Sequence, residues 1–209
     1  MTKHDSTDYL EHERKLWALN YEYIAGVDEA GRGPLAGPVV TAAVILETGE
    51  DLPGVIDSKQ VSANDREDMY RFITSKCKAY AIAAASSRRI DRMNILYATM
   101  YAMRKAVDRL KLRPDYILVD GNRLPDLGSF ESEAIIGGDS KSRSIAAASI
   151  IAKVTRDRIM LNLHKFYPEY NFASHKGYGT VEHIEILKRI GPTKHHRYSF
   201  SPVRQMGLF

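Results

Sequence analysis

"AGVDEAGRGPLAGPVV", residues 25–40, sets two adjacent acids, Asp28 and Glu29, where an apolar run ends. A glycine-bracketed arginine, Gly31-Arg32-Gly33, follows at once, and a second apolar run resumes after Gly37-Pro38. Apolar runs interrupted by Gly and Pro predict a strand, a turn and a second strand. Adjacent carboxylates at the end of a buried strand repel one another and lose solvation, so they require a compensating charge. A divalent cation is one such charge, because hard ions such as magnesium take oxygen ligands.

On either side of that stretch the chain alternates between the two periodicities. "YEYIAGVDE" (21–29), "PVVTAAVIL" (38–46), "AYAIAAASS" (79–87) and "DYILVDGN" (115–122) read as strands. The apolar run in "EAIIGGDSKS" (133–142) is a further strand, broken by two glycines before Asp139. "DYLEHERKLWALN" (8–20) has helical spacing with Leu10, Leu16 and Trp17 on one side, a docked N-terminal helix. Ser62 and Asp65 make a capping-box-like start for "NDREDMYRFITSKC" (64–77). Asp91 is placed to cap the amphipathic "RMNILYATMYAMRKAVDRL" (92–110), whose Met and Tyr stripe reads as core. "SIAAASIIAKVTRDRIMLNLHKFY" (144–167) is a long helix whose Ala-rich half implies close packing, and "VEHIEILKRI" (181–190) is a helix ending at Gly191-Pro192. Strands alternating with helices predict one α/β domain over 1–209 with a mixed sheet. Residues 1–20 are a helical extension of it, and 175–209 a basic helix and tail.

The 209 residues suit one substantial domain. With 44% hydrophobic and 27% charged residues the balance is that of an ordinary globular protein. Cys77 is the only cysteine, so no internal disulfide forms and a reducing compartment is expected. The polar start lacks the pattern of a signal peptide and the apolar stretches are too short to span a bilayer, so the chain reads as cytoplasmic, with no membrane association. Nothing demands more than a monomer. The net charge of +4 is unevenly spread: residues 1–140 carry 18 Lys+Arg against 22 Asp+Glu, and residues 141–209 carry 12 against 4. A basic C-terminal third, holding five of the seven histidines, suits either a polyanion partner or a plain solvated basic surface.

Three apolar runs thus end in acids: Asp28-Glu29, Asp120 and Asp139. In open α/β sheets ligand sites gather where strand ends and loops converge. Four carboxylates there could bind two divalent ions, Mg²⁺ or Mn²⁺ by donor type, for in-line phosphoryl displacement by water. Each acid also has a plain local reading. Asp120 before Gly-Asn is a good turn residue, Asp139 could cap the helix after it, and Asp157, four residues after Lys153, makes a surface ion pair.

A further set of motifs narrows these alternatives. "GVDEAGRGPLAGPVV" resembles the opening signature of bacterial ribonuclease HII, the type 2 ribonuclease H family. "DSKQVS" (57–62), "NILYATMYAM" (94–103), "VDGN" (119–122), "GGDSKSRSIAAASIIAKVTRDR" (137–158), "HKGYGT" (175–180) and "HRYSFSPV" (196–203) follow in the family's order. Gln60-Val61 depart from the family's usual Lys-Leu. The resemblance covers residues 20–203 and implies a ribonuclease H-like fold, a central mixed five-stranded sheet flanked by helices. It assigns the metal-site acids to Asp28, Glu29, Asp120 and Asp139 rather than Asp157.

The implied activity is endonucleolytic cutting of RNA in RNA–DNA hybrids, including 5′ to a single ribonucleotide embedded in duplex DNA. Its products carry 5′-phosphate and 3′-hydroxyl ends, and its roles are ribonucleotide and RNA-primer removal. Such an enzyme must recognise the 2′-hydroxyl. Gly31-Arg32-Gly33 can lay backbone against the sugar because glycine has no Cβ. Tyr178 matches the family's tyrosine at the junction between a ribonucleotide and the next deoxyribonucleotide. Lys59, Ser140, Lys141, Lys176 and Arg197 are candidate phosphate contacts. Two rivals stand beside this reading: another nuclease of the same fold acting on DNA, and a non-catalytic hybrid binder. A 2′-hydroxyl reader argues against the first. Four retained acids, which would repel a phosphate backbone unless they held metal, argue against the second.

Overall fold

The computed structural model describes residues 8–49 and 62–206. Five strands form one sheet in the order β3-β2-β1-β4-β5: β1 (Ile24–Ala30), β2 (Val39–Ile45), β3 (Ala79–Ala85), β4 (Tyr116–Asp120) and β5 (Glu131–Ile135). β1, β2 and β3 run antiparallel as a meander, while β4 and β5 lie parallel to β1. The sheet is therefore mixed. The helices are α1 (Glu11–Ala18), α2 (Ala63–Lys76), α3 (Ser87–Asp108), α4 (Arg143–Phe166), α5 (Phe172–His175), α6 (Val181–Ile190) and α7 (Val203–Met206). Among the described residues no helix is long and apolar enough to cross a membrane.

Strand alternation divides the core in two. Ala42 and Val44 of β2 face α4 and α2, packing with Ile73, Ala147, Ile150 and Val154. Ala43 and Ile45 face the other way with Ala25, Val27, Ile117 and Val119, and meet Met103, Ala106 and Val107 of α3. Gly26 lies on the α4 side. A Cβ there would stand 2.1 Å from the Ser144 carbonyl carbon and 2.3 Å from the Ile145 nitrogen. The first turn of α4 thus rests directly on the β1 backbone, which explains the run of small residues in its first half. Gly26→Ala is expected to destabilise the fold by about 3 kcal/mol, since backbone cannot yield as a side-chain tip can. Urea unfolding measures it, and a midpoint equal to the parent's would rule out this contact.

The Ser62 cap holds: its hydroxyl accepts from Asp65 N at 3.2 Å. The Asp91 cap does not. α3 begins earlier, with the Ser86 hydroxyl accepting from Arg89 N, and it kinks at Asn94 (φ 63°, ψ 167°). Asn94 caps the second segment, its side chain accepting from Tyr97 N at 3.2 Å. Asp91 instead accepts from Tyr198 N, Ser199 N and the Ser199 hydroxyl, tying α3 to the C-terminal segment. Ser142, not Asp139, caps α4. Asp139 sits in a 3-10 turn, Gly138–Ser140, between β5 and α4.

Candidate active site

Parallel pairing of Val27 with Val119 makes Asp28 and Asp120 the next residues on neighbouring strands. Asp120 pairs with Ile135, and the 3-10 turn carrying Asp139 follows β5. The Asp120 carboxylate accepts from Gly138 N at 2.7 Å, which anchors that turn to β4. An open cleft of about 500 Å³ results, lined by Asp28, Glu29, Asp120 and Asp139 together with Ala30, Gly31, Arg32, Gly33, Arg66, Ser149, Lys153, Arg156 and Tyr178. Asp157 is not among these residues; it bonds Lys153 at 2.8 Å, the ion pair its spacing suggested.

The cleft concentrates buried negative charge. Asp28 and Asp139 are only 4% and 5% exposed. Burial pushes the Asp28 carboxyl well above the ordinary range, with the charges of Glu29 and Asp120 adding to it and a Ser149 hydrogen bond opposing it. Glu29 is raised too, mainly by burial, against the attraction of Arg32, whose guanidinium lies 3.3 Å from Glu29 Oε1. This frustrated carboxylate set is what a cation would relieve. The donors are all oxygen, and among the described residues no His or Cys lines the cleft, so their chemistry fits a hard ion and not zinc. They line a common opening rather than a closed cage: among the described residues no three acidic, His or Cys side chains are drawn together around one point.

The rim of the cleft is built by buried arginines. Gly31 has φ +93°, and a Cβ on it would meet the Arg156 side chain at 1.9 Å. Only glycine fits there. Arg197 donates to Gly31 O at 2.6 Å, Arg32 O at 2.7 Å and Gly37 O at 3.1 Å. Arg156 donates to Pro38 O, Ala36 O and Lys176 O. Its guanidinium also lies 5.7 Å from the centre of the Tyr178 ring. Carbonyl oxygens rather than carboxylates hold both guanidiniums. Burial, with the neighbouring Arg156 charge, lowers Arg197 to about 9.

The candidate phosphate contacts fare differently from one another. Arg197 is 0% exposed and grips the loop from behind, so it is not available to a phosphate here. Its three-carbonyl grip is a stronger use of a guanidinium fork than an exposed charge. Lys176 has positive φ and its ammonium turns back to the Ala173 carbonyl. Lys141 bonds Ile136 O and Ser140 bonds Gly137 O, and neither lines the cleft. Lys59 lies outside the described residues. Tyr178 is 45% exposed at the rim beside Gly33. The sequence reading missed Arg66, Ser149, Lys153 and Arg156. The last three fall at i, i+4 and i+7 on α4, a helical spacing that marks one face.

A family model described as ribonuclease HII matches residues 25–203. The chain belongs to the ribonuclease HII family. It is 54% identical over 186 residues to the ribonuclease HII of Coxiella burnetii (strain RSA 493 / Nine Mile phase I), covering 89% of this chain and 92% of that protein. Its fold is similar to ribonuclease H2 from Pyrococcus horikoshii OT3, with TM-score 0.75 and 29% identity over 88% of this chain and 96% of that one. It is also similar to the ribonuclease HII of Archaeoglobus fulgidus described in complex with PCNA, with TM-score 0.74 and 27% identity over 85% and 95% of the two chains. The mixed five-stranded sheet is thus a ribonuclease H-like fold. As a ribonuclease HII the chain is a hydrolase that cleaves the RNA strand of RNA–DNA hybrids, in a divalent-metal-dependent family.

Proposed function

We propose that this chain also incises duplex DNA 5′ to a single embedded ribonucleotide, leaving 5′-phosphate and 3′-hydroxyl ends. Its roles would then be ribonucleotide excision and RNA-primer removal in the cytoplasm. The observation that carries this reading is the rim: Arg197 clamps the Gly31 and Arg32 carbonyls, and Tyr178 sits beside Gly33 at the same carboxylate cleft. A rim fixed by buried arginines offers donors and acceptors at set positions to a 2′-hydroxyl, and backbone can approach a sugar closely at Gly33. Tyr178 offers an aromatic face on which the next, 2′-deoxy sugar can pack. Reading both sides of one junction needs no longer hybrid.

Asp28, Glu29, Asp120 and Asp139 would hold Mg²⁺ or Mn²⁺. Bound there, such an ion would supply the positive charge needed to activate an attacking water and to offset charge on the leaving 3′-oxygen. Arg32 has a half-exposed side chain and can exchange its weak contact with Glu29 for a phosphate oxygen. Lys153, held by Asp157, adds positive charge inside the cleft. Ser149 keeps a hydrogen bond on Asp28 and so sets that carboxylate's orientation.

Cleavage of a duplex with one ribonucleotide, beside long-hybrid and all-DNA controls, tests this directly. Tyr178→Ala is expected to lose roughly tenfold to a hundredfold in kcat/KM on the single-ribonucleotide duplex, the worth of one stacking contact. The loss should be smaller on a long hybrid, where other contacts share the work. Equal rates for variant and parent on both would reduce Tyr178 to a packing residue.

Binding is also expected to weaken with salt as phosphate contacts release counterions. The structure moderates that expectation, since Arg143, Arg156 and Arg197 of the basic C-terminal third are buried at 7%, 1% and 0% exposure. The cleft cations Arg32, Arg66 and Lys153 then carry more of the effect than the sequence tally implies. Affinity that stays flat between about 50 and 200 mM salt would contradict a phosphate-tracking cleft.

A further inference from the structure

Three histidines of the C-terminal segment, His175, His183 and His196, are buried at 8%, 0% and 0% exposure and take no part in the chemistry above. Their hydrogen bonds determine which nitrogen of each ring carries the proton. Thr193 N lies 2.9 Å from His196 Nδ1, and a backbone N–H can only donate. His196 Nδ1 is therefore bare and its Nε2 is protonated. That proton faces His183 Nε2 at 3.0 Å, which must accept it. His183 Nδ1 then keeps its own proton and donates to the Tyr178 carbonyl at 2.8 Å. The chain of donors runs one way, from Thr193 through two rings to Tyr178. His175 supports it: its Nδ1 accepts from Gly177 N at 3.1 Å, and its ring stacks on His183 with centroids 4.3 Å apart.

We propose that His196 and His183 form a one-directional hydrogen-bond relay that positions Tyr178, and so act as positioning residues for substrate selection. This rests on the reading of Tyr178 as the junction contact. The Tyr178 carbonyl also accepts from Thr180 N at 2.9 Å, while the preceding Gly177 carbonyl takes Leu35 N at 2.8 Å. Peptides on both sides of Tyr178 are thus fixed, the first by the strand-turn-strand loop and the second by the relay. The opposite tautomer of His183 would point a lone pair at the carbonyl oxygen, and a buried acceptor pair of that kind is costly. Burial keeps both rings neutral, lowering His183 to about 4 and His196 to about 3, so the direction of the relay is stable at physiological pH. Aliphatic residues would fill this space as well, but they would leave the Tyr178 carbonyl with Thr180 N as its one remaining donor among the described residues, a looser hold on that peptide.

The readout is the ratio of kcat/KM on the single-ribonucleotide duplex to kcat/KM on a long hybrid. A purely structural role would lower both values together and leave the ratio alone. His196→Phe keeps the ring volume but removes the donor, and is expected to lower the ratio about fivefold, the worth of one hydrogen bond. His196→Gln places an amide N–H near the Nε2 position and should restore it. In the double variant His196→Phe/Tyr178→Ala the two effects should fail to add, because they act through one contact. An unchanged ratio in His196→Phe, or additive losses, overturns the relay. If Tyr178→Ala alone leaves the ratio unchanged, the junction reading has failed and the relay falls with it, a result distinct from failure of the relay alone. Nitrogen-15 spectra of the unmodified protein give a check that needs no variant: His183 protonated at Nδ1 and His196 at Nε2 support the relay, and the reverse in either ring overturns it.

Discussion

Asp28→Asn is expected to end cleavage and at the same time to stabilise the metal-free protein. The amide keeps the shape of the side chain but removes the charge that would hold a cation, so activity should fall on the order of a thousandfold, about 4 kcal/mol of transition-state stabilisation. Stability should move the other way. The folded Asp28 carboxyl is raised above its ordinary 3.8 by burial and by Glu29 and Asp120. A carboxyl raised on folding contributes stability that is complete below about pH 4 and is lost as pH rises through its folded value. At neutral pH the charged side chain therefore weighs against the fold, and the neutral amide does not. Thermal unfolding in chelator should show the variant above the parent, by about 2–4 °C for each kcal/mol regained in a chain of this size. Adding Mg²⁺ should raise the parent and leave the variant in place, since an ion bound only by the folded state stabilises it. A variant that turns over within about tenfold of the parent would remove Asp28 from the site. Asp120→Asn should be as inactive, yet keep its bond from Gly138 N, because the amide oxygen still accepts. Asp157→Asn, which removes the charge paired with Lys153 and touches none of the four cleft acids, is the comparison variant and should lose far less activity.

Arg197→Met is expected to unfold the rim and cost about 4 kcal/mol of stability. Three backbone carbonyls, of Gly31, Arg32 and Gly37, lose their donor at once. Each buried acceptor left unsatisfied costs about 1–3 kcal/mol, offset in part by the methionine's apolar packing. Arg197→Lys should recover little, because an ammonium cannot reproduce the spacing of the guanidinium fork. Activity should fall with the loop on every substrate, since the rim adjoins the carboxylates. The denaturant midpoint separates this from the phosphate-contact role the sequence suggested. A surface contact would leave the midpoint unchanged and lower only the salt-sensitive part of the affinity. A parent-like midpoint in Arg197→Met would restore Arg197 to the phosphate contacts.

The sequence by itself determined the strand order of events along the chain, the mixed α/β class and the acids at strand ends. Each depends on short-range physics: apolar periodicity of two or 3.6, Gly and Pro at turns, and like charges that cannot stand side by side in a core without a partner. Asp28 and Asp120 could be paired from the sequence as candidates because both close an apolar run. Only the tertiary structure decided what the arginines and histidines do. Arg197 and Arg156 look in the sequence like members of a basic surface, because charge composition carries no information about burial. Both are buried because distant segments bring them carbonyl acceptors, from residues 160–166 positions away for Arg197. Asp91 likewise reads as a helix cap by local rules, but the backbone N–H groups of Tyr198 and Ser199 reach it first. The direction of the His196–His183 hydrogen bond depends on which N–H groups face each ring, and that is settled only when α6 and the segment after it pack together. Local sequence chooses backbone states; a buried polar group takes whichever partner the fold delivers to it.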